Sequence, residues 1–299
     1  VAISGQFFHG GETVNILYGY GFPFEPQHSS CSNRKPKNFR WEIPPHSNLD
    51  HLVLIDNAIQ KYQYIPVHVE NLYGWVCESR SIVQDTSTFL DWNFSDLEKR
   101  FKKIFVSDKQ LASFSSVFQY CPAGSNLPWI PDTEYGVYTK TKLTSMVASA
   151  KKMTKGHMIR HECATRFKNH LDLFGGACGS PRLPETDPTK PWMSKMHGLK
   201  DYMFSVVVEN DFYDNYYTEK ITDCFATGTI PVYLGSPTIG DVFNMDGIIQ
   251  LDSKFDINML TEDLYKSKLN AVHDNLNRVI NLEMSDDTLW NVIHETRNN

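Results

Sequence analysis

The chain has 299 residues, 21% charged and 41% apolar, and carries a net charge of −6. That length accommodates two domains or one large one, and the composition is that of an ordinary globular protein. The acidic balance argues against nucleic acid or an anionic membrane as the main partner, and no apolar run reaches the ~18–20 residues of a membrane span. Six cysteines, Cys31, Cys77, Cys121, Cys163, Cys178 and Cys224, lack paired spacing. Several sit as small apolar residues inside strand or helix patterns, which points to reduced thiols and a cytoplasmic compartment. The first residue is Val1, so an anchor on a removed N-terminal segment stays compatible with the sequence.

In chain order, residues 19–48 are rich in Gly, Pro, Ser and Asn and read as an extended loop. Short apolar runs at His51–Ile55, Trp75–Cys77, Ile104–Val106 and Phe118–Cys121 predict strands, with helical sequence at Asp96–Lys103. A second series begins near Lys142. Leu143–Ser149 predicts a strand, His157–Leu171 a helix, and Leu171–Phe174 the next strand. Residues 176–200 read as a Gly/Pro-rich connection, followed by a Val-rich strand at Phe204–Val208. Gly247–Leu251 predicts a last strand, and residues 257–296 predict helices. Alternation of this kind implies doubly wound α/β domains. The expected boundary lies near residue 140, giving 1–140 and 141–299, with the last helices as candidates to return to the first domain.

The stretch Tyr202–Pro237 concentrates the chemistry. Its strand stops at the polar pair Glu209-Asn210. Ile221, Cys224 and Phe225 then mark one apolar helical face, with Thr218 as N-cap and Gly228 closing the helix. Lys220 falls in the first turn, where a cation opposes the helix dipole. A bound phosphate at that helix start would remove the conflict.

Glu209-Asn210, then Tyr216-Tyr217-Thr218-Glu219-Lys220, then Pro231-Val232-Tyr233-Leu234-Gly235 resemble, in order and spacing, the signature of the family 10 glycosyltransferases, the α-1,3/1,4-fucosyltransferases. The resemblance implies a GT-B fold, two doubly wound Rossmann-like domains facing a cleft. It also implies an inverting, metal-independent transfer from a nucleotide sugar to a hydroxyl of a glycan acceptor, with GDP-fucose as default donor and no other cofactor. It places Lys220 on phosphate, Glu219 on the ribose hydroxyls, and Glu209, Asn210, Tyr216 and Thr218 around the donor. A carboxylate can accept both hydrogen bonds of a vicinal diol, so Glu219 suits its role.

The loop and helix start at 150–160 also occupy a phosphate-binding position, where the family carries an Arg. Arg160 fits by its distance to Phe174-Gly175, with Arg166 as rival. Trp75-Val76-Cys77-Glu78-Ser79 resembles the family strand ending in Glu-Ser-Pro, which makes Glu78 the candidate general base. Arg80 stands where the family has Pro, and Glu70 and Asp56 are rival bases. Asp211 replaces the family's Ser after Glu-Asn, and Tyr217 its Val before Thr. Both positions adjoin the donor, which leaves a pentose donor such as UDP-xylose as the alternative.

No Asp-x-Asp occurs, so the carboxylate pair usual for a nucleotide-bound divalent cation is missing. His157 and His161 stand four apart with Cys163 nearby, but no third zinc ligand stands at a supporting spacing and His-Glu-x-x-His is absent. An NAD-dependent oxidoreductase is the competing reading of a doubly wound sheet. Its best feature, Gly175-Gly176-x-x-Gly179, runs into Pro181 and Pro184 instead of a helix. A hydrolase would need a Gly-x-Ser-x-Gly elbow, which is absent. A sugar-binding protein on an inactive transferase fold is the remaining alternative.

Overall fold

The computed structural model describes residues 7–9, 12–22, 30, 34–45, 49–181 and 192–298. The chain parts into two compact units, 1–125 with 283–299, and 126–282. The break thus falls at 125/126, where the sequence suggested about 140, and the last segment groups with the first unit. Among the described residues no helix is long and apolar enough to cross a membrane.

The first unit carries strands β1 (Phe7–His9), β2 (Glu12–Tyr20), β3 (Phe39–Glu42), β4 (His51–Ile55) and β5 (Asn71–Trp75). Helix α1 (Gln84–Arg100), β6 (Lys103–Val106), α2 (Lys109–Ala112) and β7 (Phe118–Tyr120) follow. The second unit carries β8 (Lys142–Val147), α3 (Lys155–Arg166), β9 (Asp172–Phe174), α4 (Trp192–Leu199), β10 (Tyr202–Val208) and α5 (Glu219–Ala226). It continues with β11 (Ile230–Leu234), β12 (Ile249–Gln250), α6 (Glu262–Ser267) and α7 (Leu269–Ile280). The closing helix, α8 (Ser285–Asn298), belongs to the first unit.

In the first unit the sheet runs β1-β2-β4-β5-β6-β7, with β3 also on β2, and only β1 is antiparallel to its neighbour. Alternate residues of β4 feed opposite cores: Leu52 and Leu54 pack with Leu90 and Leu97 of α1, Val53 and Ile55 with Leu289 and Ile293 of α8. The helix start of α8 is tied down by polar contacts. Buried Asp286 accepts from Trp41 Nε1 at 2.7 Å and Ser30 Oγ at 2.5 Å. The sequence reading of 19–48 as loop missed β3, whose Phe39 and Trp41 are both buried.

In the second unit five parallel strands take the order β12-β11-β10-β8-β9. The chain leaves β8 for one side of the sheet and returns to the other at β10. Ligands of open α/β sheets bind beyond the strand C-termini at such a reversal. Met146, Phe204, Val206 and Val232 pack under Cys163 and Ala164 of α3, while Val207 and Tyr233 pack under Leu199, Ile221 and Phe225 on the opposite face. Burial on both faces explains why β10 reads as a continuous apolar run.

Candidate functional site

The carboxyl ends of β8 and β10 receive the N-termini of two helices. On α3, Thr154 and His157 form a capping box, each side chain pairing with the other's backbone N–H. Burial, with Arg160 and Lys151 nearby, pulls His157 down to about 4, so its ring is neutral and Nδ1 accepts. Gly156 lets this helix start press on β10. A Cβ there would stand 1.9 Å from the carbonyl oxygen of Glu209, a distance no side chain tolerates.

That close approach delivers Arg160 to the strand end. Its side chain is buried, with Nε donating to Val208 O at 2.7 Å and an Nη to Asn210 Oδ1 at 2.8 Å. Arg166 lies at the far end of α3, exposed, its guanidinium over the Phe167 ring. Of the two candidates, the geometry brings Arg160 to the site.

On α5, Thr218 is the N-cap, as its sequence position predicts. Its backbone N–H and hydroxyl both donate to the Glu209 carboxylate, at 3.0 and 2.8 Å. Glu209 is fully buried. Both its oxygens are engaged, so it organises the helix start from below. Tyr216 is likewise buried, its ring 4.9 Å from that of Tyr213.

Lys220 Nζ turns back to Thr218 Oγ1 at 3.0 Å, to both oxygens of Glu219 at 3.4 Å, and to Glu209 at 3.7 Å. The conflict between this cation and the helix dipole is therefore already offset by two carboxylates. Burial alone would push the Glu219 carboxyl up, but Lys220 and Lys195 beside it hold it down at about 2. Glu219 is then ionised at any working pH and acts purely as a hydrogen-bond acceptor.

Lys195 is a residue the sequence reading did not single out. It comes from α4, inside the stretch read as a connection, and pairs with Asp223 at 3.0 Å and Glu219 at 3.4 Å. The spacing of Trp192, Met196 and Leu199 was the available signal for that helix. A small pocket lined by Arg160, Lys195, Lys220 and Asp223, together with Ser205 to Val208 of β10, lies at this point.

The two departures from the family pattern behave differently. Tyr217 is buried edge-on against Phe243 in the core, whereas Asp211 remains half-buried beside Asn210. Among the described residues no group of three or more His, Cys, Asp or Glu is placed to hold a metal. The described cysteines Cys77, Cys121, Cys163, Cys178 and Cys224 are free, and Cys31 lies outside the described residues.

Residues 137–273 match the family described as glycosyltransferase family 10 (fucosyltransferase), C-terminal part. This segment is a family 10 glycosyltransferase domain. The chain is also 27% identical over 165 residues to alpha-(1,3)-fucosyltransferase B of Drosophila melanogaster, covering 46% of this chain. It spans only 36% of that relative's length. A crystal structure of an alpha1,3-fucosyltransferase superposes with a TM-score of 0.51 at 14% identity, over 91% of this chain and 83% of the other. The same kind of enzyme with GDP gives 0.52 at 14% identity, over 91% and 84%. At this identity the likeness establishes the fold, two parallel-sheet α/β units of the GT-B class. The family 10 domain contains Arg160, Glu209, Asn210, Tyr216, Thr218, Glu219 and Lys220.

Glu78 belongs to the first unit. Beyond Trp75 the chain stays on the ladder, with Val76 N donating to Phe105 O at 2.9 Å, so Glu78 follows the carboxyl end of β5. Its side chain is half-buried. Arg80, in place of the family's Pro, is fixed by Asp108 at 2.9 Å and Asp91 at 2.5 Å. Glu70 is exposed and precedes β5, at the opposite end of the strand.

Asp56 directly follows the neighbouring strand β4 with a φ of 48°, and its Oδ1 accepts from Cys77 N at 2.9 Å and Glu78 N at 3.3 Å. Asp56 thus holds the backbone of the candidate base. Burial pushes its carboxyl from 3.8 up to about 7. A carboxyl raised by folding contributes stability below its ordinary value and loses it as pH rises towards 7. Each pH unit between the two values is worth about 1.4 kcal/mol. Asp56→Asn keeps the accepting oxygen and removes the ionisation. Its urea midpoint is expected to match wild type near pH 4 and to exceed it increasingly towards pH 8. An offset independent of pH would contradict this account of Asp56.

Proposed function

We propose that the protein is a glycosyltransferase that moves L-fucose from GDP-fucose to a hydroxyl of a glycan acceptor, with inversion and without a metal ion. The observation that carries this reading is the convergence of Arg160, Lys220 and Glu219 at the strand-order reversal of the family 10 domain. Arg160 and Lys220 supply the charge that a departing nucleoside diphosphate needs, a role elsewhere given to a divalent cation. Glu219, held ionised, accepts from the ribose hydroxyls. Glu78 takes the acceptor proton as the hydroxyl oxygen bonds to the anomeric carbon and the diphosphate leaves from the opposite face.

Asp211, half-buried beside Asn210 where the family has Ser, is the departure behind one alternative, a donor with another sugar such as UDP-xylose. Thermal unfolding against GDP-fucose, GDP, UDP-xylose, UDP and NAD, with and without EDTA, separates the readings. A ligand at one hundred times its Kd stabilises by about 2.7 kcal/mol. The expected result is a rise with GDP-fucose and GDP, indifferent to EDTA. A rise with UDP-xylose and UDP alone would replace the donor, and a rise with NAD alone would overturn the transferase reading.

A further inference from the structure

The Glu219 and Asp223 side chains stand four residues apart on α5, both buried, at 7% and 1% exposure. Two carboxylates at that spacing face each other and repel. The cation between them is Lys195, whose Nζ reaches Asp223 at 3.0 Å and Glu219 at 3.4 Å. It also lies 4.8 Å from the centre of the Trp129 ring. Asp223 in turn accepts from the backbone N–H groups of Trp129 and Ile130 at 2.8 and 3.2 Å. Burial would lower the Lys195 pKa, but Asp223 and Glu219 raise it, so the ammonium persists.

Lys220 differs. Its side chain is 24% exposed against 14% for Lys195, and its contacts to Glu219 and Glu209, at 3.4 and 3.7 Å, are longer than the Lys195–Asp223 pair. Lys195 is committed to the protein between Glu219 and Asp223, and Lys220 sits on the more exposed side of Glu219, the one carboxylate the two lysines share. We propose that Lys195 is a positioning residue of the donor site: it neutralises Glu219 and Asp223, fixes the Glu219 carboxylate, and leaves Lys220 to the diphosphate. This rests on the donor reading above. With Lys195 uncharged, Lys220 is the remaining described cation within 4.0 Å of Glu219, and it is drawn inward, away from an anionic ligand.

The test uses the full chain, with GDP as calorimetric probe and GDP-fucose as kinetic substrate. In Lys195→Met the Kd for GDP and the KM for GDP-fucose are expected to rise roughly tenfold or more, as loss of a charge-assisted contact implies. The kcat and the acceptor KM are expected to change less, and Lys195→Arg to recover most of the loss. A role in packing alone would lower the melting temperature while leaving the donor KM of the folded enzyme unchanged, which would overturn the proposal. The double variant Lys195→Met/Asp223→Asn removes a matched charge pair, so it guards against misfolding. Its donor KM is still expected to rise, and an unaltered value would equally overturn the role of Lys195. Wild-type protein that fails to bind GDP would sink the donor reading itself, and this inference with it.

Discussion

Replacing Lys220 by Met is expected to lower sugar transfer by ~10²–10³-fold, the usual consequence of deleting one preorganised group that meets developing charge. The loss should fall on kcat as well as on donor affinity, because the negative charge on the diphosphate grows as the glycosidic bond breaks. The position of Nζ supports the assignment: it is held at Thr218 Oγ1, at the mouth of α5, by contacts that a diphosphate can replace. Removing the charge also deprives Glu219 of one counter-ion, but Lys195 remains at 3.4 Å, so the fold should survive. Initial rates of GDP release with a glycan acceptor, alongside circular dichroism melts, check both halves. Full activity in a folded Lys220→Met protein would remove the donor site from α5.

Glu78→Gln should depress kcat by ~10²–10⁴-fold with little effect on donor binding, as expected when a general base is lost and its shape retained. The substitution preserves the backbone N–H that Asp56 accepts at 3.3 Å, so the local loop is not disturbed. The pH–rate profile gives a second readout, since the acidic limb set by the base should vanish. If Glu78→Gln turns over at the wild-type rate, the base lies elsewhere, and Asp56 at the end of the adjacent strand becomes the first candidate.

How much of this was legible in the sequence depends on whether the determinants were local. The run His51–Ile55 is a strand with the predicted bounds, because Leu52 to Ile55 form a continuous apolar run buried on both faces and the one polar residue, His51, stands at its start. Thr218 was readable as an N-cap because capping is decided within one turn. Other elements were misplaced for physical reasons. The helix expected over His157–Leu171 stops at Arg166, where Phe167 N closes the last turn on Cys163 O. The strand expected at Trp75–Cys77 begins at Asn71, since pairing with β4 tolerates a polar first residue and Gly74. Helix α4 was read as connection because it follows a Gly- and Pro-rich stretch and, unlike α5, no N-cap or family motif marks its start.

The same distinction governs the site. Glu219 and Lys220 could be named because they open a helix within a long motif, whereas Arg160 sits in the second turn of α3 and was named by its distance to Phe174-Gly175 in the family pattern. Glu209 has a structural part that the sequence did not announce: buried and bonded to Thr218, it anchors the helix start. Lys195 had no such signature. Its partners Glu219 and Asp223 are 24 and 28 positions away, and only tertiary packing brings α4 against α5.

The central claim is that the family 10 domain holds a nucleoside diphosphate through protein cations. Calorimetric titration of GDP into the intact protein in EDTA-containing buffer tests it most directly. The account predicts a single saturable site for GDP that persists in EDTA. No binding in EDTA, with binding restored by a divalent cation, would contradict the roles given to Arg160 and Lys220.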